Sequence, residues 1–293
     1  MSNLDAVYSL RNDNPMMSNL FTIFARSGLR IGQNTNGGTS KLHLVNADFD
    51  RGVYGVWVDS TVTTGITAQF DNITHQGETG ISGSKAVFVQ GNSSKIDFGN
   101  INSQYSMQNG IRVDGSGNII RLGTLTINNY NQVGTAFPAL EVASGNTAYV
   151  SMQPQISGGG SGPYYGGAGS IYAPDYWIEY TPTVTSETGT ITTLGAASCS
   201  YQVAGDRVTV AYDITITTAG TGAGGLRFTL PFSCTSSGLV QRFSGYGREI
   251  IVSGKSHTTT MNPGVSIAEI RDYGNATVIA NNARVIGSIS YRK

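Results

Sequence analysis

The sequence predicts an all-β chain in two parts: a right-handed parallel β-helix of about five or six coils, then an antiparallel β-sandwich or jelly-roll domain. Three observations carry that prediction. A strand and turn pattern recurs through the first half with an irregular period, mostly in the twenties. After a glycine-rich stretch the pattern changes to longer alternating strands. The composition is rich in glycine and poor in charge, with 39 Gly and 12% charged residues in 293.

The repeat is clearest in Gly110 to Gln132, GIRVDGSGNIIRLGTLTINNYNQ. Apolar pieces at Ile111 and Val113, at Ile119, Ile120 and Leu122, and at Leu125 and Ile127 are each too short for a helix. Asp114-Gly115-Ser116-Gly117-Asn118, Gly123 and Asn128-Asn129 break them, which is a strand-turn-strand-turn-strand signal. The same opening occurs at Gly28 to Gly32, Gly55 to Ser60, Ala86 to Gly91 and Ala139 to Ser144. Its anchors are Ile31, Val58, Val89, Val113 and Val142, with the longest interval between Val58 and Val89 and the shortest between Val89 and Val113. Second strands correspond at Leu42 to Leu44, Ile66 to Phe70, Ile96 to Phe98, Ile120 to Leu122 and Tyr149 to Met152. Such a period suggests stacked coils, and the fixed Leu ladder of a leucine-rich repeat is missing. Asn46, Asn72, Asn102 and Asn128 follow successive third strands, where either stacked amides bond along the axis or Asn simply serves the turns.

The β-helix is expected over 1–157. Within it, 1–27 forms either a first coil or a capping helix that begins at Pro15 behind Asn14. In either case the abrupt start suggests a distal fragment of a longer protein. Residues 158–175 read as a Gly/Tyr-rich linker. The aromatic group Tyr164, Tyr165, Tyr172, Tyr176, Trp177 and Tyr180 at the domain junction suits packing between chains, packing within one chain, or a sugar platform. Residues 176–293 read as the second domain. Thr181 to Leu194 looks like two strands about a Glu187-Thr188-Gly189 turn, and Ser200 to Thr218 pivots on Ala204-Gly205-Asp206 with apolar residues alternating on both arms. Leu226 to Phe232, Arg248 to Gly254, Val265 to Gly274 and Ala283 to Lys293 supply further strands.

The second domain resembles a known family. Trp177 to Phe232, WIEYTPTVTSETGTITTLGAASCSYQVAGDRVTVAYDITITTAGTGAGGLRFTLPF, is similar to the C-terminal module of bacteriophage tail fibres and tail spikes. In that module a WTPT-like entry, a GTITT strand, a YxxxGxxVxV hairpin and an LPF ending recur in order. The preceding coils resemble the pectate-lyase-like β-helix of tail spikes. The resemblance implies a parallel homotrimer, a virion location, contact with other tail proteins, attachment to a host surface glycan and, in some members, cleavage of that polysaccharide. It makes 176–293 a trimerisation and receptor-binding domain. Open coil ends and strand edges give trimerisation a separate physical motive.

Composition narrows the function. Eighteen basic and 18 acidic residues leave no net charge, and the basic residues are scattered, which argues against a nucleic-acid partner. No apolar run approaches the ~20 residues of a membrane helix, so no membrane insertion is expected. The N-terminus lacks the order of a secretory signal, and release by lysis would serve a virion protein. Cys199 and Cys234 are too few for a disulfide scaffold and read as free thiols.

Two functional classes remain, an adhesive tail tip and a polysaccharide depolymerase. For adhesion, Tyr54, Trp57, Tyr105 and Tyr130 are the candidate glycan-binding rings, since apolar faces with polar rims suit sugars. For cleavage, a glycosidase needs two carboxylates across the scissile bond, and Asp48, Asp50, Asp71 and Glu78 are the candidates. Asp97, Asp114 and Glu141 complete the carboxylates of the coils. Asp48 and Asp50, two apart in an extended segment, share a face and could serve as an acid pair or a calcium site. Asp114 suits its Gly-flanked turn, and Glu141 points outward between Leu140 and Val142. His43, His75 and His257 have no zinc spacing, and no motif calls for a cofactor or metal. The adhesive reading is preferred, because the column is short and carries few carboxylates.

Overall fold

The computed structural model describes residues 4–78, 80–81, 83–134, 136–159, 163–174, 176–204, 206–234 and 243–293, and none of these lies in a helix. The chain divides into two compact units, Met1–Pro174 and Asp175–Lys293.

Two parallel sheets wind the first unit. The first stacks Asp5–Ser9, Ser27–Ile31, Tyr54–Val58, Lys85–Val89, Ile111–Val113, Leu140–Val142 and Tyr165–Gly166. The second stacks Met16–Ile23, Leu42–Asp50, Thr67–Gln76, Lys95–Gln104, Ile119–Asn128, Thr147–Val150 and Ser170–Tyr172, with Gln155–Ser157 also paired to Ile119–Asn128. The steps from strand to strand along the first sheet make about six turns of a β-solenoid. The five anchors stack directly: Ile31 pairs with Val58, Val58 with Val89, Val89 with Val113 and Val113 with Val142. Because backbone pairing holds these positions level, the irregular period is absorbed by the turns.

The long strands of the second sheet bend, so each coil has three legs. In Leu42–Asp50, Leu42 and Leu44 point inward, Val45 and Asn46 both point away, and Ala47 and Phe49 point inward again. Thr67–Gln76, Lys95–Gln104 and Ile119–Asn128 repeat this break in alternation. Asn19, Asn46 and Asn72 turn the corner with φ of 53°, 58° and 54°, a left-handed conformation that Asn tolerates better than most residues. Two coils later the bend is Gly123-Thr124, with Thr124 level with Asn100, and a Cβ on Gly123 would run into the carbonyl oxygen of Gly99. Inside, Leu44, Phe70, Phe98, Leu122 and Val150 form one column, with Phe70 and Phe98 stacked at 5.0 Å.

Two asparagine ladders run along the axis. At the bend, Asn46 Nδ2 donates to Asn19 Oδ1 at 3.2 Å, Asn72 to Asn46 at 3.0 Å and Asn100 to Asn72 at 2.7 Å. The ladder expected through Asn46, Asn72, Asn102 and Asn128 therefore holds at its first two members and then runs through Asn100. Asn102 lies two residues past the bend, and Asn128 accepts from the Ser157 hydroxyl at 2.8 Å. A second, buried ladder joins the first sheet to the second. Asn118 Oδ1 accepts the Ser94 N–H at 2.9 Å, and Asn118 Nδ2 donates to Gly91 O, Asp114 O and Asn146 Oδ1.

One alternative for the first unit is settled and one boundary changes. Of the coil and the capping helix expected within 1–27, the structure has the coil: Met16–Ile23 pairs in register with Leu42–Asp50. The solenoid does not end at 157. Tyr165–Gly166 pairs with Leu140 and Glu141, and Ser170–Tyr172 with Thr147 to Tyr149. Gly158 and Gly167, with φ of 70° and 96°, supply turns of this further coil.

The second unit is antiparallel. Its strands form one continuous nine-stranded sheet, in the order Ile178–Tyr180, Thr193–Ala204, Arg207–Thr218, Ala283–Arg292, Phe243–Glu249, Ser256–Met261, Ile267–Asp272, Ala223–Thr229 and Val184–Thr188. The sheet curls on itself. Tyr180 near one end donates its hydroxyl to Thr229 O near the other at 3.1 Å, and Tyr291 reaches Phe232 O at 3.1 Å. Curling lets one sheet enclose its apolar face, with Val208, Val210, Ile214 and Ile216 alternating inward. Ser200 to Thr218 pairs as the expected hairpin, Tyr201 opposite Val210, although Gly205 of its turn lies outside the described residues. The strands about Glu187-Thr188-Gly189 do not pair with each other: Val184–Thr188 pairs with Ala223–Thr229, at the far edge. Cys199 and Cys234 are buried and form no disulfide, and burial pushes the Cys199 thiol up to about 11.

Two stability tests follow from these interiors. Asn118→Ala leaves the Ser94 N–H and two carbonyls without their partner, so denaturant unfolding should show a loss of about 2–4 kcal/mol. His75 stands in the inward column between Phe49 and Ser103, and burial depresses its pKa to about 4. The unfolded chain therefore takes up a proton there before the folded one does. Stability contributed by neutral His75 is complete above about pH 6.5 and is lost as pH falls toward 4, by up to about 3 kcal/mol. In a Trp177→Phe background, Trp57 fluorescence should report this loss, and His75→Leu should remove the pH dependence in that window.

Candidate functional site

The bend makes a third leg of the solenoid from residues 47–50, 73–76, 101–104, 125–128 and 155–157. Its inward positions are apolar in most coils, so alternation places the residues between them outside. Register then arranges them in two rows. The first is Phe21, Asp48, Thr74, Asn102, Thr126 and Gln155. The second is Ile23, Asp50, Gln76, Gln104, Asn128 and Ser157. Neighbours within a row are spaced by the strand separation of about 4.8 Å. After the apolar pair Phe21 and Ile23, every member is an amide, a hydroxyl or a carboxylate.

A shallow groove opens where the bend meets this leg. Asn19, Leu20, Phe21, Asn46, Ala47, Asp48, Asn72 and Thr74 line it. Phe21 is 62% exposed, so the groove offers an apolar ring face beside ladder amides, a carboxylate and a hydroxyl. Two acceptors in the rows, Asp50 Oδ1 and Asn102 Oδ1, are covered and meet no donor among the described residues. Tyr105, at φ 54°, follows Gln104 at the far corner of the leg with its ring exposed.

The structure sorts the carboxylate candidates. Asp48 and Asp50 share the outer face of the third leg, and Asp48 lies in the groove. Asp71 is on the second leg, around the bend, 3.3 Å from His43 Nε2. Glu78 lies beyond the other end of the third leg, 3.7 Å from Arg51. Elsewhere Asp97 pairs with Arg121 at 3.0 Å, and Arg112 lies between Asp114 at 2.9 Å and Glu141 at 3.4 Å. Among the described residues no three His, Cys, Asp or Glu side chains are grouped to hold a metal ion.

The ring candidates separate as well. Tyr130 is 1% exposed and donates its hydroxyl to Pro163 O at 3.0 Å. It is a core residue and offers no face to a sugar. The apolar environment of its coil, closed by the chain from 163 onward, buries a ring that alternation alone left ambiguous. Tyr54 and Trp57 lie on the first leg, where their faces are already occupied. Arg30 stands between Tyr8 and Trp57, 4.4 and 4.5 Å from the two rings. Asp59 at 2.7 Å and Asp5 at 3.1 Å hold its guanidinium. Trp57 Nε1 donates to Gln90 at 2.8 Å, and Tyr54 packs on Trp57 and Phe88 at 5.1 and 5.4 Å. Burial alone would raise the Asp5 pKa, but Arg26, Ser27 and Arg30 bring it down to about 2. The first-leg face is thus internally neutralised.

Phe21, Asn19, Gln76 and Gln104 are the residues that the sequence reading missed, and Asn102, expected in the asparagine ladder, stands in the first row instead. A signal for the groove was present: Asn followed by an inward apolar residue recurs at Asn19-Leu20, Asn46-Ala47, Asn72-Ile73 and Asn100-Ile101. Also missed is the outward stack of Tyr149 on Tyr172 at 5.3 Å. Of the remaining aromatic group, Tyr165 is buried in the last coil, and Tyr180 packs edge-on to Tyr201 within the second unit.

No protein-family model matches the chain, and no curated protein matches it. Among solved structures the chain is similar to the Dettilon tailspike protein gp208, with a TM-score of 0.32 and 12% identity over 98% of this chain and 86% of that one. It is also similar to the tailspike protein gp49 of Acinetobacter baumannii bacteriophage Fri1, a capsular polysaccharide depolymerase. There the TM-score is 0.21, with 10% identity over 99% of this chain and 61% of that one.

Proposed function

We propose that the chain is a distal component of a phage tail spike that holds the virion to polysaccharide on the host surface. The observation that carries this reading is the pair of polar rows on the third leg, in register over several coils and beginning at a groove with an exposed ring. A sugar chain is an extended series of hydroxyls with apolar ring faces. Laid along the axis, it meets an amide, hydroxyl or carboxylate at each coil, while Phe21 and Tyr105 offer stacking faces at the borders. Individual contacts of this kind are weak, and affinity comes from their repetition. A homotrimer would multiply the rows threefold and cover strand edges such as those of Asp5–Ser9 and Met16–Ile23. The neutral net charge fits a partner recognised by hydroxyls.

A second reading, polysaccharide cleavage, is favoured by one feature: Asp48 and Asp50 face the same way and Asp48 lines the groove. One would protonate the leaving oxygen and the other would act as nucleophile or base.

Binding of the purified protein to capsule or lipopolysaccharide from candidate hosts tests both readings. We expect retention that falls at least about tenfold in Phe21→Ala with Asn102→Ala, a loss of the size expected for a stacked ring and a hydrogen bond, and that survives Trp57→Phe. Unchanged retention in the double variant would sink the third-leg assignment. Release of reducing ends that disappears in Asp48→Asn or Asp50→Asn would make the protein a depolymerase.

A further inference from the structure

The rows of the third leg carry charge of one sign only. Across 47–50, 73–76, 101–104, 125–128 and 155–157 the sequence holds two carboxylates, Asp48 and Asp50, and no Lys or Arg. His75 of this leg points inward and is buried. The next cation along the chain is Arg51, and it is engaged: its guanidinium lies 3.7 Å from Glu78 and 5.6 Å from the centre of the Phe24 ring.

The carboxylates elsewhere on the coils are treated differently. Every one from Asp59 to Glu141 pairs with an Arg or a His. Asp48, exposed, and Asp50, half-buried, have no basic partner among the described residues, and Asp50 Oδ1 meets no donor. The groove therefore sets a ring beside an uncompensated negative charge, since Phe21 and Asp48 are level on adjacent strands, about 4.8 Å apart along the axis. That step lies within the Debye length at physiological salt, so a uronate, sulfate or phosphate on a sugar stacked over Phe21 is repelled, and an ammonium group is attracted. Farther along, the rows turn to carboxamides, at Gln76, Asn102, Gln104, Asn128 and Gln155. Each carries both a donor and an acceptor, the complement of an acetamido group.

We propose that the polysaccharide held by these rows is built with amino sugars and carries no acidic groups. An ammonium group meets Asp48 and Asp50 in the first coils, and acetamido groups meet the carboxamides of the later ones. This rests on the third leg as the glycan face and narrows the partner from polysaccharides in general to one chemical class. The chain has no net charge, so a preference for a cationic sugar comes from the local field of the rows and not from the protein as a whole.

The test compares the binding of two oligosaccharides of equal length, partly acetylated glucosamine oligomers and oligogalacturonate, by titration calorimetry at low and physiological salt. We expect the glucosamine oligomer to bind at least about tenfold more tightly, with a difference that shrinks as salt rises. Asp48→Asn with Asp50→Asn should reduce the difference to less than about threefold. Asp97→Asn with Asp206→Asn, which changes the net charge equally on other faces, should leave it intact. Oligogalacturonate bound as tightly as the glucosamine oligomer, a glucosamine oligomer that fails to bind at millimolar concentration, or a difference that the control pair also abolishes would overturn the proposal. Failure of the underlying reading looks different: Phe21→Ala with Asn102→Ala would then leave glucosamine binding unchanged, and both would fall.

Discussion

Parallel pairing between successive coils decides where every side chain of the first unit lies. Once one coil is level with the next, an inward residue sits above an inward residue and an outward one above an outward one. A shift of one residue would reverse a whole leg. This is why anchors that recur at unequal intervals in the sequence still stack. Extra residues in the longer repeats are taken up between the legs, where the main chain can change length without disturbing the columns.

The same constraint turns like residues into ladders. Stacked amides at the bend bond along the axis because consecutive coils present Asn at one level, and Asn also accepts the left-handed backbone that the bend requires. The buried Asn118 and Asn146 answer backbone groups left open where the chain passes between sheets, a role for which an amide has both donor and acceptor. On the outside, register produces the polar rows of the third leg and the cation and ring stack of Tyr8, Arg30 and Trp57. These two faces differ in what remains free. The first-leg groups satisfy one another, whereas among the described residues the third-leg rows are joined by the Ser157 to Asn128 bond and leave Asp50 Oδ1 and Asn102 Oδ1 without a donor.

Much of this was legible in the sequence. The anchors and second strands come from alternation bounded by Gly, Asn and Asp, and that signal is local. Asp48 and Asp50 were placed on one face by the same alternation. What failed depended on neighbours in space. Tyr130 sits in a polar, Asn-rich run, and its burial follows from chain that returns near Pro163. Trp57 reads as an exposed ring, but Arg30, its partner in the preceding coil, occupies its face. In the sequence Asn102 reads as a ladder member because the bend, which resets alternation by one residue, leaves only a pair of outward residues as its trace. In the second unit, Val184–Thr188 and Thr193–Ala204 look like hairpin partners since they are adjacent, yet the curled sheet sends them to different neighbours.

The third leg is the face proposed to meet the glycan, and hydrogen–deuterium exchange with and without the host polysaccharide tests this most directly. Protection concentrated in 47–50, 73–76 and 101–105, with little change at Tyr54 to Val58, is the predicted result. Protection confined to the first leg or to the antiparallel sheet, with the third leg unaffected, would contradict it.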